Sequence, residues 1–148
     1  MSVHVQTEDF DVGAAIAQLR EGNTGIGAIA TFIGIVRDVN DDAAITGLSL
    51  EHYPGMTEAA LAEIVEDAKT RFAIQDAIVI HRVGALVPGD RIVLVAVASA
   101  HRGSAFDACE FIIDYLKTRA PFWKKERLSH GERWVEARAS DDEAAARW

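Results

Sequence analysis

Ala77-Ile78-Val79-Ile80-His81-Arg82-Val83 and Arg91-Ile92-Val93-Leu94-Val95-Ala96-Val97-Ala98-Ser99 are two runs rich in Val and Ile, with Val87-Pro88-Gly89-Asp90 between them. Proline fixes φ at the second position of a type II turn and glycine accepts the positive φ of the third, so this segment reads as a turn. The two runs are therefore expected to pair as antiparallel neighbours. Strands and helices alternate only partly along the rest of the chain, which favours an α+β fold, mainly antiparallel, over a doubly wound sheet.

Toward the amino terminus, Leu61, Ile64, Val65, Ala68 and Phe72 form one helical stripe; Thr57 is the expected cap and Pro54-Gly55 the turn before it. Ile45 to His52 reads as a strand with Leu48, Leu50 and His52 on one face. Asp38 to Asp42 reads as a loop. Ile26 to Val36 is apolar on both alternating sets, as expected of a strand covered on both faces, with Arg37 where it leaves the core. Val12, Ala15, Ile16 and Leu19 recur at helical spacing until Gly22-Asn23, after a short extended start at Val3 to Thr7.

Toward the carboxyl terminus, Ser104 with Asp107 resembles a capping box, and Ala105, Ala108, Cys109, Ile112, Ile113 and Leu116 supply the stripe of a third helix that Pro121 ends. Phe122 to Leu128 and Glu132 to Ala139 flank Ser129-His130-Gly131 as a hairpin. The expectation is a single domain over residues 1–148 with about three packed helices and a polar tail at 140–148. A length of 148 residues is right for one core.

Hydrophobic residues at 49% and charged residues at 26% are the mix of a folded globular chain. The net charge of -8 argues against a nucleic-acid partner. No apolar run reaches the length of a membrane span, and the first ten residues lack a secretory signal, so a cytoplasmic location is expected. The single cysteine, Cys109, lies on an apolar stripe and reads as a packed thiol. His4, His52, His81, His101 and His130 are widely separated, without metal-ligand spacing, and no bound metal or cofactor is expected. Gly25-Ile26-Gly27 and Gly34 form neither a dinucleotide fingerprint nor a phosphate loop.

One window departs from this background. Lys117, Arg119, Lys124, Lys125 and Arg127 stand against Glu126 alone, so residues 117–127 carry +4 in an acidic chain. Cations at a helix end and just past a proline turn can hold phosphate or carboxylate; they can equally be solvated charges complementing the helix C-terminus. The lysines can do more than the arginines, because a desolvated amine can lose its proton near neutral pH. Lys117 ends the third helix, and Lys124 follows Phe122 and Trp123, whose rings can exclude water; these two are the catalytic candidates, with simple anion binding the competing reading. His101-Arg102 precedes a helix N-terminus, a second anion-binding signal. Arg37 is a third if its strand end approaches the same place; a surface ion pair is the alternative.

Four segments together resemble a known family. They are Thr31-Phe32-Ile33-Gly34-Ile35-Val36-Arg37, Leu50-Glu51-His52-Tyr53-Pro54-Gly55-Met56, Ser99-Ala100-His101-Arg102, and Asp114-Tyr115-Leu116-Lys117-Thr118-Arg119-Ala120-Pro121-Phe122-Trp123-Lys124. In this order they are similar to the large, catalytic subunit of molybdopterin synthase, as is Arg133-Trp134-Val135-Glu136-Ala137-Arg138. The resemblance implies a hammerhead-like α+β fold and a sulfurtransferase of molybdenum cofactor biosynthesis. Cyclic pyranopterin monophosphate would receive two sulfurs and become the dithiolene of molybdopterin.

It also implies partners. The sulfur donor would be the C-terminal Gly-Gly thiocarboxylate of a small ubiquitin-like subunit, and two copies of this chain would form the central dimer of a heterotetramer. Carried over position by position, Lys117 and Lys124 resemble the catalytic lysines, with Lys117 nearest the thiocarboxylate. Arg37, His101 and Arg102 resemble phosphate ligands, His101 and Arg102 serving the neighbouring copy. Lys124, Lys125 and Glu126 match a further substrate-binding stretch, and Arg138 another basic residue of the pocket. The first helix, the Asp38 to Ala44 loop and the Arg127 to Glu132 turn depart from the family pattern. A second class of function stays open on the residues alone: a non-catalytic scaffold that holds a partner's acidic tail in the same basic window.

Overall fold

The computed structural model describes residues 2–148. Its central strand is β8 (Arg91–Ser99), which pairs antiparallel on one side with β6 (Ile74–Arg82) and on the other with β2 (Ala28–Ile35); β1 (Ser2–Gln6) adds to β6 in parallel. The predicted antiparallel pair is therefore the centre of the main sheet. The turn also has its expected form, with Gly89 at φ 93° and the Asp90 N–H donating to the Val87 carbonyl at 3.0 Å. Between β6 and the turn, β7 (Gly84–Leu86) leaves to join a second sheet.

Alternation along β8 builds two cores. Val93, Val95 and Val97 pack beneath α2 (Met56–Arg71) and α3 (Arg102–Arg119), while Leu94, Ala96 and Ala98 pack against α1 (Val12–Arg20). A strand covered on both faces reads as a continuous apolar run. The same is expected of β2, and Ala30 joins the first core while Ile29 and Ile33 pack against the second, but β2 is an edge strand on which Thr31, Phe32 and Ile35 are exposed. Its apolar side chains Phe32 and Ile35 face the cavity described below instead of a core.

The second sheet has the order β10-β9-β5-β7, all antiparallel, with β5 (Gly47–His52), β9 (Phe122–Leu128) and β10 (Gly131–Val135). The expected hairpin at 129–131 joins β9 to β10. Asp38 to Asp42 is more ordered than a loop: β3 (Val39–Asn40) and β4 (Ala43–Ala44) pair across Asp41 and Asp42, both at positive φ, the backbone of a tight hairpin turn. Aspartate tolerates that conformation through its short polar side chain.

Among the described residues four helices are present, one more than expected. The stretch read as a polar tail contains α4 (Ala139–Ala146), which buries Ala145 and is followed by Trp148. The Trp148 indole N–H donates to Asp114 at 2.7 Å, and its ring meets Phe72 and Phe111 edge-on. Alanine-rich sequence hid this helix because it buries only the small side chain of Ala145 and is anchored by Trp148 beyond its end. No helix among the described residues is long and apolar enough to cross a membrane.

Two caps also differ from expectation. α3 begins at Arg102, not after Ser104, with the preceding chain held by Ser99, whose hydroxyl donates to the Ala73 carbonyl at 2.7 Å and accepts from the His101 N–H at 3.4 Å. α2 begins at Met56, after Gly55 at φ 85°, so Thr57 lies inside the helix. Fully buried, its hydroxyl accepts from the Tyr53 N–H at 2.9 Å and donates to the Pro121 carbonyl at 3.0 Å. This bridge ties the start of α2 to the residue that leads into β9. Thr57→Val strands both backbone groups and is expected to lower unfolding free energy by about 1–3 kcal/mol in a denaturant titration, while Thr57→Ser changes it little.

Candidate active site

β9 sets the site by its pleat. Side chains alternate between faces along a strand, so Phe122, Lys124 and Glu126 point one way and Trp123, Lys125 and Arg127 the other. The first three line a cavity of about 470 Å³, which also receives Lys117 from the last turns of α3, Arg37 from the end of β2, His81 from β6 and Arg138 from the segment after β10. The two lysines thus reach one cavity from different elements. Lys117 is exposed at its edge and Lys124 is half-buried.

Burial pushes the Lys124 amine below the ordinary lysine range, and the positive charge of Lys117 adds to this. Asp141 and Glu126 pull it back up, and Arg138 lowers it. An ammonium placed among cations in a poorly solvated wall gives up its proton more readily than one in water. A lowered proton affinity is the direction that acid-base work by an amine requires.

The arginine side of the cavity is held by a buried carboxylate. Glu126, 5% exposed, accepts from Arg133 Nε at 2.9 Å and from Asn40 Nδ2 at 2.8 Å. Asn40 in turn accepts from Arg133 through its backbone carbonyl at 3.0 Å and from Arg138 through its side-chain oxygen. Arg138 also stands 3.8 Å from Asp41. The β3–β4 hairpin, β9, β10 and the residues before α4 are therefore joined at one corner of the cavity.

Not every candidate from the sequence reaches this place. Lys125 turns to the opposite face, where its Nζ pairs with Glu132 at 3.0 Å and lies 5.1 Å above the Trp134 ring. His101 and Arg102 are exposed at the far end of α3. Between Arg102 and Lys117 the helix rises about 22 Å at 1.5 Å per residue, so this pair does not meet the cavity of its own chain. Cys109 is buried, its thiol directed to the Val95 carbonyl at 3.7 Å and its pKa pushed up to about 12 by burial, so it stays protonated.

His81 is the wall residue that sequence reasoning passed over. It is 4% exposed, and burial, with the Lys124, Lys117 and His52 charges, pushes its pKa down to about 4. The signal was available: His81 directly continues the apolar run from Ala77 to Ile80 on a strand expected to be in the core. Spacing rules aimed at metal sites do not register such a residue.

The sequence and the architecture have counterparts in known proteins. Residues 5–119 match the family model described as MoaE protein. The chain belongs to the MoaE family. It is 62% identical over 147 residues to a Ralstonia nicotianae protein named molybdopterin synthase catalytic subunit, covering 99% of this chain and 84% of that protein. Among solved structures, a Burkholderia ambifaria molybdopterin biosynthesis MoaE protein superposes with a TM-score of 0.86 at 53% identity, covering 99% of this chain and 97% of the other. A crystal structure of molybdopterin synthase from Staphylococcus aureus gives 0.82 at 32% identity, over 90% and 96% of the two chains. The MoaE-family assignment agrees with the resemblance carried by the sequence motifs.

Proposed function

We propose that this chain transfers sulfur as the catalytic subunit of a molybdopterin synthase, with the cavity between Lys117 and Lys124 as its site. The donor is the C-terminal thiocarboxylate of a small ubiquitin-like subunit, and the acceptor is cyclic pyranopterin monophosphate, which becomes the dithiolene of molybdopterin. The observation that carries this reading is the convergence of the two lysines on one cavity that also takes Arg37 and Arg138. The name shared by the relatives, a catalytic subunit, fits a chain that works beside a second one.

Each residue has a part that follows from its place. Arg37 and Arg138 offer forked donors that suit a phosphate, and both are exposed enough to meet it as it enters. Lys117, at the exposed edge, meets the incoming acyl sulfur group. Lys124, with its lowered proton affinity, exchanges protons as sulfur attacks the pterin side chain. Glu126 acts through Asn40, holding the hairpin that places Arg138. Lys125 supports this wall from the other face of β9. His101 and Arg102 serve the cavity of a neighbouring copy in a central dimer, the arrangement that reconciles an anion-binding pair with its distance from its own cavity.

The test is direct. Purified chain mixed with thiocarboxylated small subunit and the pterin precursor should form dithiolene product, read by fluorescence after oxidation. Tail binding without product would favour a scaffold. Arg37→Ala and Arg138→Ala are each expected to raise KM for the precursor about tenfold, as loss of a charge-assisted phosphate contact does, with kcat changed less. A precursor KM unaltered in both variants would remove the arginines from the phosphate grip.

A further inference from the structure

The cavity wall contains one buried polar group that none of these roles uses. His81 stacks on Phe122 with ring centroids 3.8 Å apart and an interplanar angle of 16°. Its Nδ1 lies 2.7 Å from the Arg82 carbonyl oxygen. A carbonyl only accepts, so Nδ1 carries the proton and Nε2 carries the lone pair. Nε2 has no hydrogen-bond partner among the described residues. It is not sealed in the protein either: among the described residues the sealed side-chain atom without a hydrogen-bond partner is Glu58 Oε1, while His81 borders the cavity.

The surroundings determine what this nitrogen can do. Lys124 from β9, Lys117 from α3 and His52 from β5 are the titratable groups whose charge acts on it, and every one of them opposes a proton on Nε2. The other inward polar groups are donors, namely Lys117, Lys124, Arg37 and Arg138, or are already engaged, as Glu126 is with Arg133 and Asn40. Glu136 is an exposed acceptor of the same cavity and Asp141 a half-buried one, both on the stretch that carries Arg138. In the buried part of the wall, then, His81 Nε2 is a side-chain acceptor that a ligand's N–H or O–H can meet. A residue needed only to fill space and stack on Phe122 could be phenylalanine.

We infer that His81 contacts the substrate as a neutral hydrogen-bond acceptor, taking an N–H or O–H of the pterin while the arginines hold its phosphate. This rests on the reading of the cavity as the site for a phosphorylated pterin. A pterin ring is rich in N–H donors, and the cations of the cavity can hold its phosphate but cannot accept from its ring.

His81→Phe keeps the stack and removes the acceptor. In the sulfur-transfer assay with the small subunit present, precursor KM is expected to rise about tenfold, with kcat within about threefold of the parent and the affinity for the small subunit unchanged. A folded, active variant with the parent KM overturns the inference. Should the variant fail to fold, the unaltered protein decides: in 15N-labelled chain at pH 7, saturating precursor should move the His81 Nε2 resonance from its free lone-pair position. An unmoved resonance overturns the contact. Absence of dithiolene product from the unaltered protein would count against the functional reading instead, and the precursor titration would still settle the role of His81.

Discussion

Lys117→Arg and Lys124→Arg are each expected to lower the turnover number for dithiolene formation at least about 100-fold, while the Kd for the precursor changes less than about threefold. The reason lies in the difference between the two cations. Arginine keeps the charge and the reach, so anion binding survives; it cannot release a proton at any working pH, so acid-base assistance does not. Loss of a positioned proton donor or acceptor costs about 10²–10⁴ in rate. Lys124 should show the cleaner effect, because burial and Lys117 already hold its amine below the ordinary lysine range. Single-turnover rates with preloaded thiocarboxylate, set beside equilibrium binding, separate the two quantities. Near-normal sulfur transfer by both variants would leave the lysines as fixed charges and reject the acid-base role.

That expectation was legible in the sequence in one respect and not in another. Residue order placed Lys117 on a helix end and Lys124 on the following strand, and it marked both as cationic and Lys124 as close to aromatic surface. It could not show that β9 pairs with β5 in the register that sets Lys124 opposite Leu50, nor that the pleat sends Lys125 outward to Glu132. Two adjacent lysines are equivalent in composition and opposite in a strand. The same limit explains β2: its residues look like those of β8, but an edge position follows from strand order, which depends on pairings far apart in sequence.

Helix boundaries failed for a different reason. Thr57 and Ser104 are good capping residues by type, yet each lies within its helix: at α2 the Gly55 N–H donates to Glu58, and before α3 the Ser99 hydroxyl accepts from the His101 N–H. Thr57 uses its hydroxyl to join Tyr53 to Pro121. Local preference was overridden by a contact 64 residues away in sequence. The amphipathic stripes of α2 and α3 and the Pro-Gly turn before β8 were legible because they are decided within a few residues.

Acid should destabilise the protein in a way that His81 accounts for. An unfolded histidine titrates near 6.5, whereas burial and the surrounding cations push the folded His81 down to about 4. Between those values the unfolded chain binds a proton that the folded chain refuses, so stability falls as pH falls. The contribution is fully present above pH 6.5 and is lost progressively as pH drops to about 4. At about 1.4 kcal/mol for each pH unit of that interval, the loss amounts to about 3 kcal/mol. Carboxylates titrate over part of the same range, so the parent curve alone does not isolate the effect. His81→Phe does, since it keeps the other groups and removes this one. Denaturant unfolding of both proteins from pH 7 to pH 4 should show the parent losing about 3 kcal/mol more than the variant, most of it below pH 6.5. Parallel curves would mean that His81 accepts a proton in the folded state as easily as in the unfolded one. In that event Nε2 would be a donor in acid, and the cavity would lack the lone pair that makes it an acceptor for a pterin N–H.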